Sequence, residues 1–489
     1  MAFCRRTMMK INFLDYTRRQ FMKTAAIAAA AGAAPSALVS EAFASTEEER
    51  IIAAAKKLNP VGLRGMIWSN YMAAMKQAEA EFKKATGISV ESIQDISIFV
   101  IPQRAMAEAV SRSDKFDFFH VDSNMIPSLA SARLLEPLDK YMKQADFKIN
   151  AVGDYGRFMT YQGNTYGVPT DGNVHVQFVR WDMVEAGKKA YEDKFGKSPA
   201  WPVTWEDDQQ MMEFFHKPDE GVWGSANLRN RANGVTWWYM YFYSAGGFPF
   251  DNEMNPTINN AAGQYALETY LNIKKVSHPE APGWGTPQMI PRMTQGNAFA
   301  CQYWDGIISL AENPAKSKTV GKWKYGLVPG SRLSGKLVHR SISSPIAAIL
   351  VNRYSPRKEQ AAMMAMWWAT LKNSASIVAD RVNTFHDPWH KGHMTDSKVR
   401  AAYTPGGVDA IEQNLKVASP PIYLTGLLEF QDILAKNLSE AYVGQMPAKD
   451  VLPKTEEAWK KIVRRAGKKK LKGELASYKG VFPSVDVPS

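Results

Sequence analysis

Four positions in this 489-residue chain combine suitable side-chain chemistry with a suitable place in the pattern: Trp68, Asp122, Asp171 and Asn173. Trp68 and Asp122 each close an apolar, strand-like run. Asp171 and Asn173 follow Tyr161-Gln162-Gly163-Asn164-Thr165-Tyr166-Gly167-Val168-Pro169, which reads as a hairpin turn leading into an extended stretch. An indole offers a flat apolar surface; carboxylates and amides offer several hydrogen-bonding atoms. Together they suit a ligand with apolar C–H faces and many hydroxyls, since hydrogen bonds to charged groups contribute ~1.5–3 kcal/mol each. Each position also has a plainer explanation: Trp68 as core, Asp122 as a helix cap, Asp171 as a turn cap.

Other groupings suggest other chemistries. His386, Asp387, His390 and His393 fall within eight residues and could ligate zinc or copper. Pro388 and Gly392 break the helix that would align them, so the segment reads as a polar surface loop and no metal ligand is assigned. Asp171, Asp305 and Glu429 could be imagined as the carboxyl pair of a glycan hydrolase, but no local pattern singles them out. Gly330 and Gly335-Lys336 have phosphate-loop spacing, yet Leu337 stands where a Ser or Thr must hold magnesium. Arg229 and Arg231 read as exposed charges; either one in a cleft would favour an anionic ligand.

The elements that must position these residues follow from periodicity. A polar helix is expected over 46–57, then a strand from Gly62 to Trp68, a helix from Met72 to Thr86 ended by Gly87, a strand from Ile88 to Ile93, a helix over 102–112 and a strand from Phe116 to Asp122. Strand–helix alternation implies an α/β fold with a parallel sheet, whose ligands bind at the C-terminal strand edge. Trp68 and Asp122 fall at that edge. An extended segment runs from Val174 to Trp181, and helices dominate from about 182 to 310, including the aromatic run Trp237–Tyr243, which reads as core. Strands return at 325–328, 337–342 and 347–351; the rest is helical, with loops at 383–408 and 418–423. Such alternation predicts two lobes that the chain crosses between several times, with a hinge and a cleft.

The N-terminus reads as an export signal. Thr17-Arg18-Arg19-Gln20-Phe21-Met22-Lys23 resembles the twin-arginine pattern, an Ala-rich stretch follows, and Ala42-Phe43-Ala44 fits a small-x-small cleavage site. A periplasmic mature protein beginning after Ala44 is expected. Residues 1–44 carry six Lys/Arg and two acidic residues, so their removal lowers the formal charge of +12 by four, a mild excess that argues against nucleic-acid binding. Lys460, Lys461, Arg464, Arg465, Lys468, Lys469, Lys470 and Lys472 form a local basic run, read as a solvated helix end. Cys301 alone remains after processing, which excludes an intramolecular disulfide.

Several landmarks, in order, resemble the family-one extracellular solute-binding proteins, the group that includes maltose-binding protein. Tyr161-x-Gly-x-x-Tyr-Gly-Val-Pro169 is similar to that family's G-K-x-Y-G-V-P turn, and Asp182–Gly187 to its x-L-F-x-x-A-G helix. Pro202-Val203-Thr204-Trp205-Glu206-Asp207 resembles its P-x-T-W-D-E helix start, with Thr204 as N-cap. Gly246-Gly247 with Pro256–Asn259, Gln295–Ala300 with Trp304, Tyr325–Gly330, and Ala347–Ile349 with Ser355–Ala361 resemble further segments. The resemblance implies a two-lobed periplasmic-binding-protein fold with an interlobe cleft, closing on its ligand and docking onto an ABC transporter permease, without catalysis or cofactor. It adds Trp304 and Asp305 to the candidates, at the place where the family often puts a stacking aromatic. The expected lobes are 60–172 plus 329–372 and 173–328 plus 373–489. The expected function is capture of a small polar solute, a carbohydrate or polyol, by a monomer. The alternatives are a secreted carbohydrate-active hydrolase and a metal-delivery protein using His386–His393.

Overall fold

The computed structural model describes residues 45–67, 69–95, 100–343, 347–381 and 386–488. The export signal and Trp68 lie outside the described residues. Chain contacts separate Met1–Arg50 from Ile51–Ser489. In the first unit, Thr46 and Glu49 exchange backbone-to-side-chain hydrogen bonds that start the helix Glu47–Ala55. Everything below concerns the second unit.

Fifteen strands are described: β1 (Gly62–Ile67), β2 (Ser89–Asp95), β3 (Phe118–Asp122), β4 (Thr160–Tyr161), β5 (Asn164–Thr165), β6 (Gly167–Pro169), β7 (His175–Arg180), β8 (Trp223–Ser225), β9 (Ala298–Trp304), β10 (Trp323–Gly326), β11 (Gly330–Ser331), β12 (Val338–His339), β13 (Ser341–Ile342), β14 (Ala347–Val351) and β15 (Ala418–Ser419). The helices used below are α1 (Ser69–Thr86), α2 (Ile101–Ser111), α3 (Trp205–Phe214), α4 (Val235–Ser244), α5 (Lys358–Ala369), α6 (Leu371–Ala379), α7 (Ser397–Tyr403), α8 (Pro405–Lys416), α9 (Ala448–Ala466) and α10 (Lys468–Gly480).

One sheet has the order β2-β1-β3-β14-β6. Strands β1, β2 and β3 are parallel, joined by α1 and α2, as the alternation implies. β14 enters between β3 and β6, antiparallel to both. α1 ends at Gly87, whose φ of 76° suits the left-handed cap and whose N–H donates to Lys83 O at 2.8 Å. The turn between β4 and β5 places Gln162 and Gly163 at positive φ, the hairpin read from the sequence.

The second sheet, β10-β7-β9-β8, is largely antiparallel. Its central strand β9 lies in a stretch expected to be helical. Six of the seven residues of AFACQYW are buried, so alternation, the sign of a strand with one wet face, is missing. A polar network locks α3 against this sheet. Buried Asp208 accepts from Gln177 Nε2 (2.7 Å) and Gln302 Nε2 (2.8 Å), and Asn227 Nδ2 donates to Gln302 Oε1 (2.8 Å). Burial pushes the Asp208 carboxyl up to about 7. Thr204 caps α3 in a reciprocal box with Asp207. All ten residues of α4 are buried, as an apolar-all-round helix requires.

Among the described residues the chain passes between the sheets three times: from β6 to β7, from β13 to β14, and between α6 and α8. The third passage is not the open loop expected over 383–408. It contains α7, and His386, His390 and His393 are buried within it. The basic run divides between the end of α9 and the start of α10, with Gly467 between them.

Gly65 in β1 faces the Phe118 ring of β3, and a methyl there would lie 2.2 Å from Phe118 Cζ. Gly65→Ala should therefore cost about 1–3 kcal/mol by overpacking, lowering the melting temperature in scanning calorimetry. An unchanged melting temperature would mean that the ring yields freely.

Candidate ligand-binding site between the sheets

The passages are fastened by side chains at the strand ends. Asp171, after β6, accepts the Asp387 backbone N–H on Oδ1 at 2.6 Å and the Tyr71 hydroxyl on Oδ2 at 3.0 Å. Gly172 N–H returns a bond to Asp387 O at 3.0 Å. Only glycine fits at 172, because a Cβ would lie 2.2 Å from Pro388 O. Asp305, after β9, accepts the Val174 N–H on Oδ1 and donates its own N–H to Val174 O, both at 3.0 Å. Tyr155 donates to Gly172 O and meets Ser343 Oγ, which reaches Asn173 O at 3.3 Å. Arg381 donates to Ser309 Oγ, His386 O and Gly306 O, and lies 3.7 Å from Asp387 Oδ1.

Three buried carboxyls thus lie in the field of one guanidinium, which pairs with Asp387. Burial, then the neighbouring carboxyls, holds Asp171 and Asp305 well above the usual carboxylate range. Burial also raises Asp387, against the pull of Arg381 and Tyr403.

Around this knot the strand ends present aromatic and polar groups. The Tyr71 ring stands edge-on between His120 (4.7 Å) and His386 (4.2 Å). His120 Nε2 lies 2.8 Å from Thr170 Oγ1, whose own proton goes to Ala347 O. On the other sheet, His175 pairs in register with Trp304, and its ring sits 4.7 Å from the Trp304 ring and 5.1 Å from that of Trp237. Burial pushes His120 and His175 down to about 3 and His386 well below the ordinary imidazole value. Asp122 ends β3. It stands before a short helical turn but makes no side-chain cap, and its Oδ1 is buried without a hydrogen-bond partner. Burial lifts its carboxyl up to about 7.

Of the sequence candidates, the structure brings Asp122, Asp171, Asn173, Trp304 and Asp305 to these strand ends and passages. Asp171 spends both oxygens on fastening the chain; Asp305 spends Oδ1, while its Oδ2 is buried without a hydrogen-bond partner, and Asn173 takes a left-handed φ of 58°. Sequence reasoning missed Tyr71, His120, His175 and Trp237. His120, a lone polar residue in an apolar strand, was the one available signal.

Three other readings are corrected. The metal-delivery reading of His386–His393 fails because the imidazoles do not converge. His390 Nδ1 accepts the Gly392 N–H at 2.9 Å, His393 Nδ1 accepts the Trp389 N–H at 3.2 Å, and His393 Nε2 meets Ser374 Oγ at 2.8 Å. No group of three or more potential metal ligands occurs among the described residues. The hydrolase trio is also dispersed: Glu429 is exposed and paired with Arg465, while Asp171 and Asp305 are buried. Arg229 is fully buried, not exposed. Its guanidinium lies 4.6 Å from the Tyr270 ring centroid and 5.5 Å from that of Trp237, while Arg231 does pair with Asp432 at the surface.

Residues 68–372 match the model of the bacterial extracellular solute-binding proteins, which spans more than half of the chain. The chain belongs to that family. Residues 15–35 match the twin-arginine translocation signal, so the protein is exported to the periplasm. No helix among the described residues is long and apolar enough to cross a membrane. A probable amino-acid ABC transporter periplasmic-binding protein of Sinorhizobium fredii is 26% identical over 277 residues; the match spans 54% of this chain and 60% of that relative. A ribitol-bound solute-binding protein of Agrobacterium radiobacter K84 superposes with a TM-score of 0.70 at 18% identity, covering 83% of this chain and 99% of that one. The maltose-bound MalE3 of T. maritima gives 0.67 at 17% identity, with 82% and 99% covered. These solved relatives establish the two-lobed fold.

The Asp122 carboxyl, raised by burial, binds its proton more tightly in the folded chain than in the unfolded one. Its contribution to stability is therefore lost as pH rises from ~4 toward ~7 and is flat above. Asp122→Asn, which cannot ionise, should gain melting temperature relative to the parent as pH goes from 4.5 to 8. A difference between the two proteins that stays constant with pH would refute the burial of this group.

Proposed function

We propose that this family member is the periplasmic substrate-binding component of an ABC transporter. It captures a carbohydrate or polyol between two lobes, 60–172 plus 329–372 and 173–328 plus 373–489, and closes on it about the three passages. It acts as a monomer, hands the ligand unaltered to a membrane permease, and has no role on nucleic acid. The observation that carries this reading is the seam itself. Two separate sheets turn strand ends bearing aromatic rings and unpartnered polar atoms toward the passages that join them. Trp304 and Trp237 supply C–H-stacking surfaces, and Asp122 closes the opposite wall. The sugar- and polyol-bound structural relatives lend support.

An amino acid, which the name of the Sinorhizobium relative raises, would need a cation for its carboxylate. Arg381 is committed to Asp387, Ser309 and two carbonyls, and Arg229 is enclosed by Trp237 and Tyr270. Neither offers a free edge.

Ribitol, mannitol and maltose should be screened by thermal shift beside a panel of amino acids. A ligand that binds only the folded state, at 100 times its Kd, adds ~2.7 kcal/mol and raises the melting temperature. At least one sugar or polyol is expected to do so, and Trp304→Ala should weaken it about tenfold, a loss of ~1.4 kcal/mol. Stabilisation by amino acids alone would reject the reading.

A further inference from the structure

The basic run lies on the last turns of α9 and the first turns of α10, and all of its cations are exposed. Three of them are matched: Lys460 pairs with Glu457, Arg465 with Glu429 and Lys472 with Glu253. Lys461, Arg464, Lys468, Lys469 and Lys470 make no ion pair among the described residues. Asp251, in electrostatic reach of Lys468, already accepts the Glu253 and Asn255 amides and the Asn255 side chain. The acids near this corner are therefore occupied, and five positive charges face solvent.

Part of the cluster has a plain structural reason. Arg464 and Arg465 sit in the last turn of α9, where the helix dipole favours cations. The rest runs against that rule. Lys468, Lys469 and Lys470 fill the first turn of α10, at the positive end of its dipole, with no acidic residue there and no side-chain cap from Gly467. The one acid of α10, Glu474, is buried and accepts the Ser131 and Thr425 hydroxyls and the Thr425 amide. Leu471, Leu475 and Tyr478 hold α10 through its buried face, so the lysines contribute nothing to the helix. A local rule broken without a compensating contact marks a place where stability is given up for function.

The chemistry of the cations indicates the partner. Four of the five unmatched groups are lysines, compact charges without the forked geometry by which arginine selects one carboxylate. α9 and α10 both keep their apolar residues in the core, so the corner offers charge alone. A cluster of this size on a helix surface suits a bilayer, whose anionic headgroups are many and mobile. The protein is exported to the periplasm, which membranes enclose.

We propose that the corner between α9 and α10 is a docking surface for anionic phospholipid headgroups, and that it holds the protein peripherally on the membrane facing the periplasm. Attachment without insertion leaves the protein free to move in the plane of the bilayer, which shortens its search for a membrane permease. It does not depend on which solute the seam takes.

The test is co-sedimentation of the mature protein with vesicles of one part phosphatidylglycerol to three of phosphatidylcholine, beside vesicles of phosphatidylcholine alone. Binding is expected to the first only, and to be lost as salt rises from about 50 mM to about 500 mM, since screening shortens the reach of the charges. Lys468→Glu, Lys469→Glu and Lys470→Glu combined should weaken binding at least about tenfold. The same variant should keep or raise the melting temperature, because acids suit the first turn of a helix. Gln at the three positions should weaken binding to a smaller extent. Lys188→Glu, Lys197→Glu and Lys316→Glu combined, an equal change of charge at exposed positions outside α9 and α10, should bind as the parent does. Equal binding to both vesicles, parental binding by the Glu variant, or an equal loss in the control variant would overturn the proposal. Retention on immobilised polyglutamate with none on the anionic vesicles would also overturn it, in favour of an acidic protein partner.

Discussion

Two buried carboxylates fasten the segments on which the two-lobed architecture depends. Asp171 receives the Asp387 amide and Asp305 receives the Val174 amide, so the first and third passages and the end of β9 are tied at one place. These groups are buried, and an unmatched carboxyl there would be strongly penalised. The amides, Tyr71, Tyr403 and Arg381 offset that penalty. Removing one of these partners from such a knot is worse than never having built it, because the remaining charge stays buried. The close approach at Gly172, where no Cβ fits against Pro388 O, fixes the spacing of the strands that pass.

This arrangement divides the labour among acidic residues that look alike in sequence. Asp171 and Asp387 hold the chain; Asp305 does so through Oδ1 alone, and Asp122, at the end of β3, likewise keeps an oxygen unused. The sheets are stiff, being packed on both faces and locked internally by networks such as Asp208 with Gln177 and Gln302. In the proposed mechanism motion is confined to the passages, and a ligand touching both sheets favours closure only by its differential affinity for the closed state.

Much of the scaffold was legible in the chain. The β1–α1–β2–α2–β3 alternation, the Gly87 cap, the Thr204 cap and the 161–169 hairpin all follow from local pattern, because local chemistry decides them. β9 was not legible, since a strand buried on both faces shows no alternation. The His386–His393 segment looked like a surface loop because histidine is usually wet. It is buried because turn amides and Ser374 satisfy two of its rings, a compensation visible only in three dimensions. At the site, the acids could be picked out from their positions at strand ends. Their partners could not: Asp171 meets Asp387 across 216 residues of sequence, a pairing no local window contains. Arg229 was misjudged for the same reason, its aromatic enclosure coming from two separate helices.

The central claim is that two hinged lobes close on a ligand held at their seam. Small-angle X-ray scattering of the purified mature protein, with and without a saturating sugar or polyol shown to bind it, tests this most directly. The account predicts a smaller radius of gyration in the bound state, returning to the starting value when the ligand is dialysed away. Superimposable curves at saturation would contradict it.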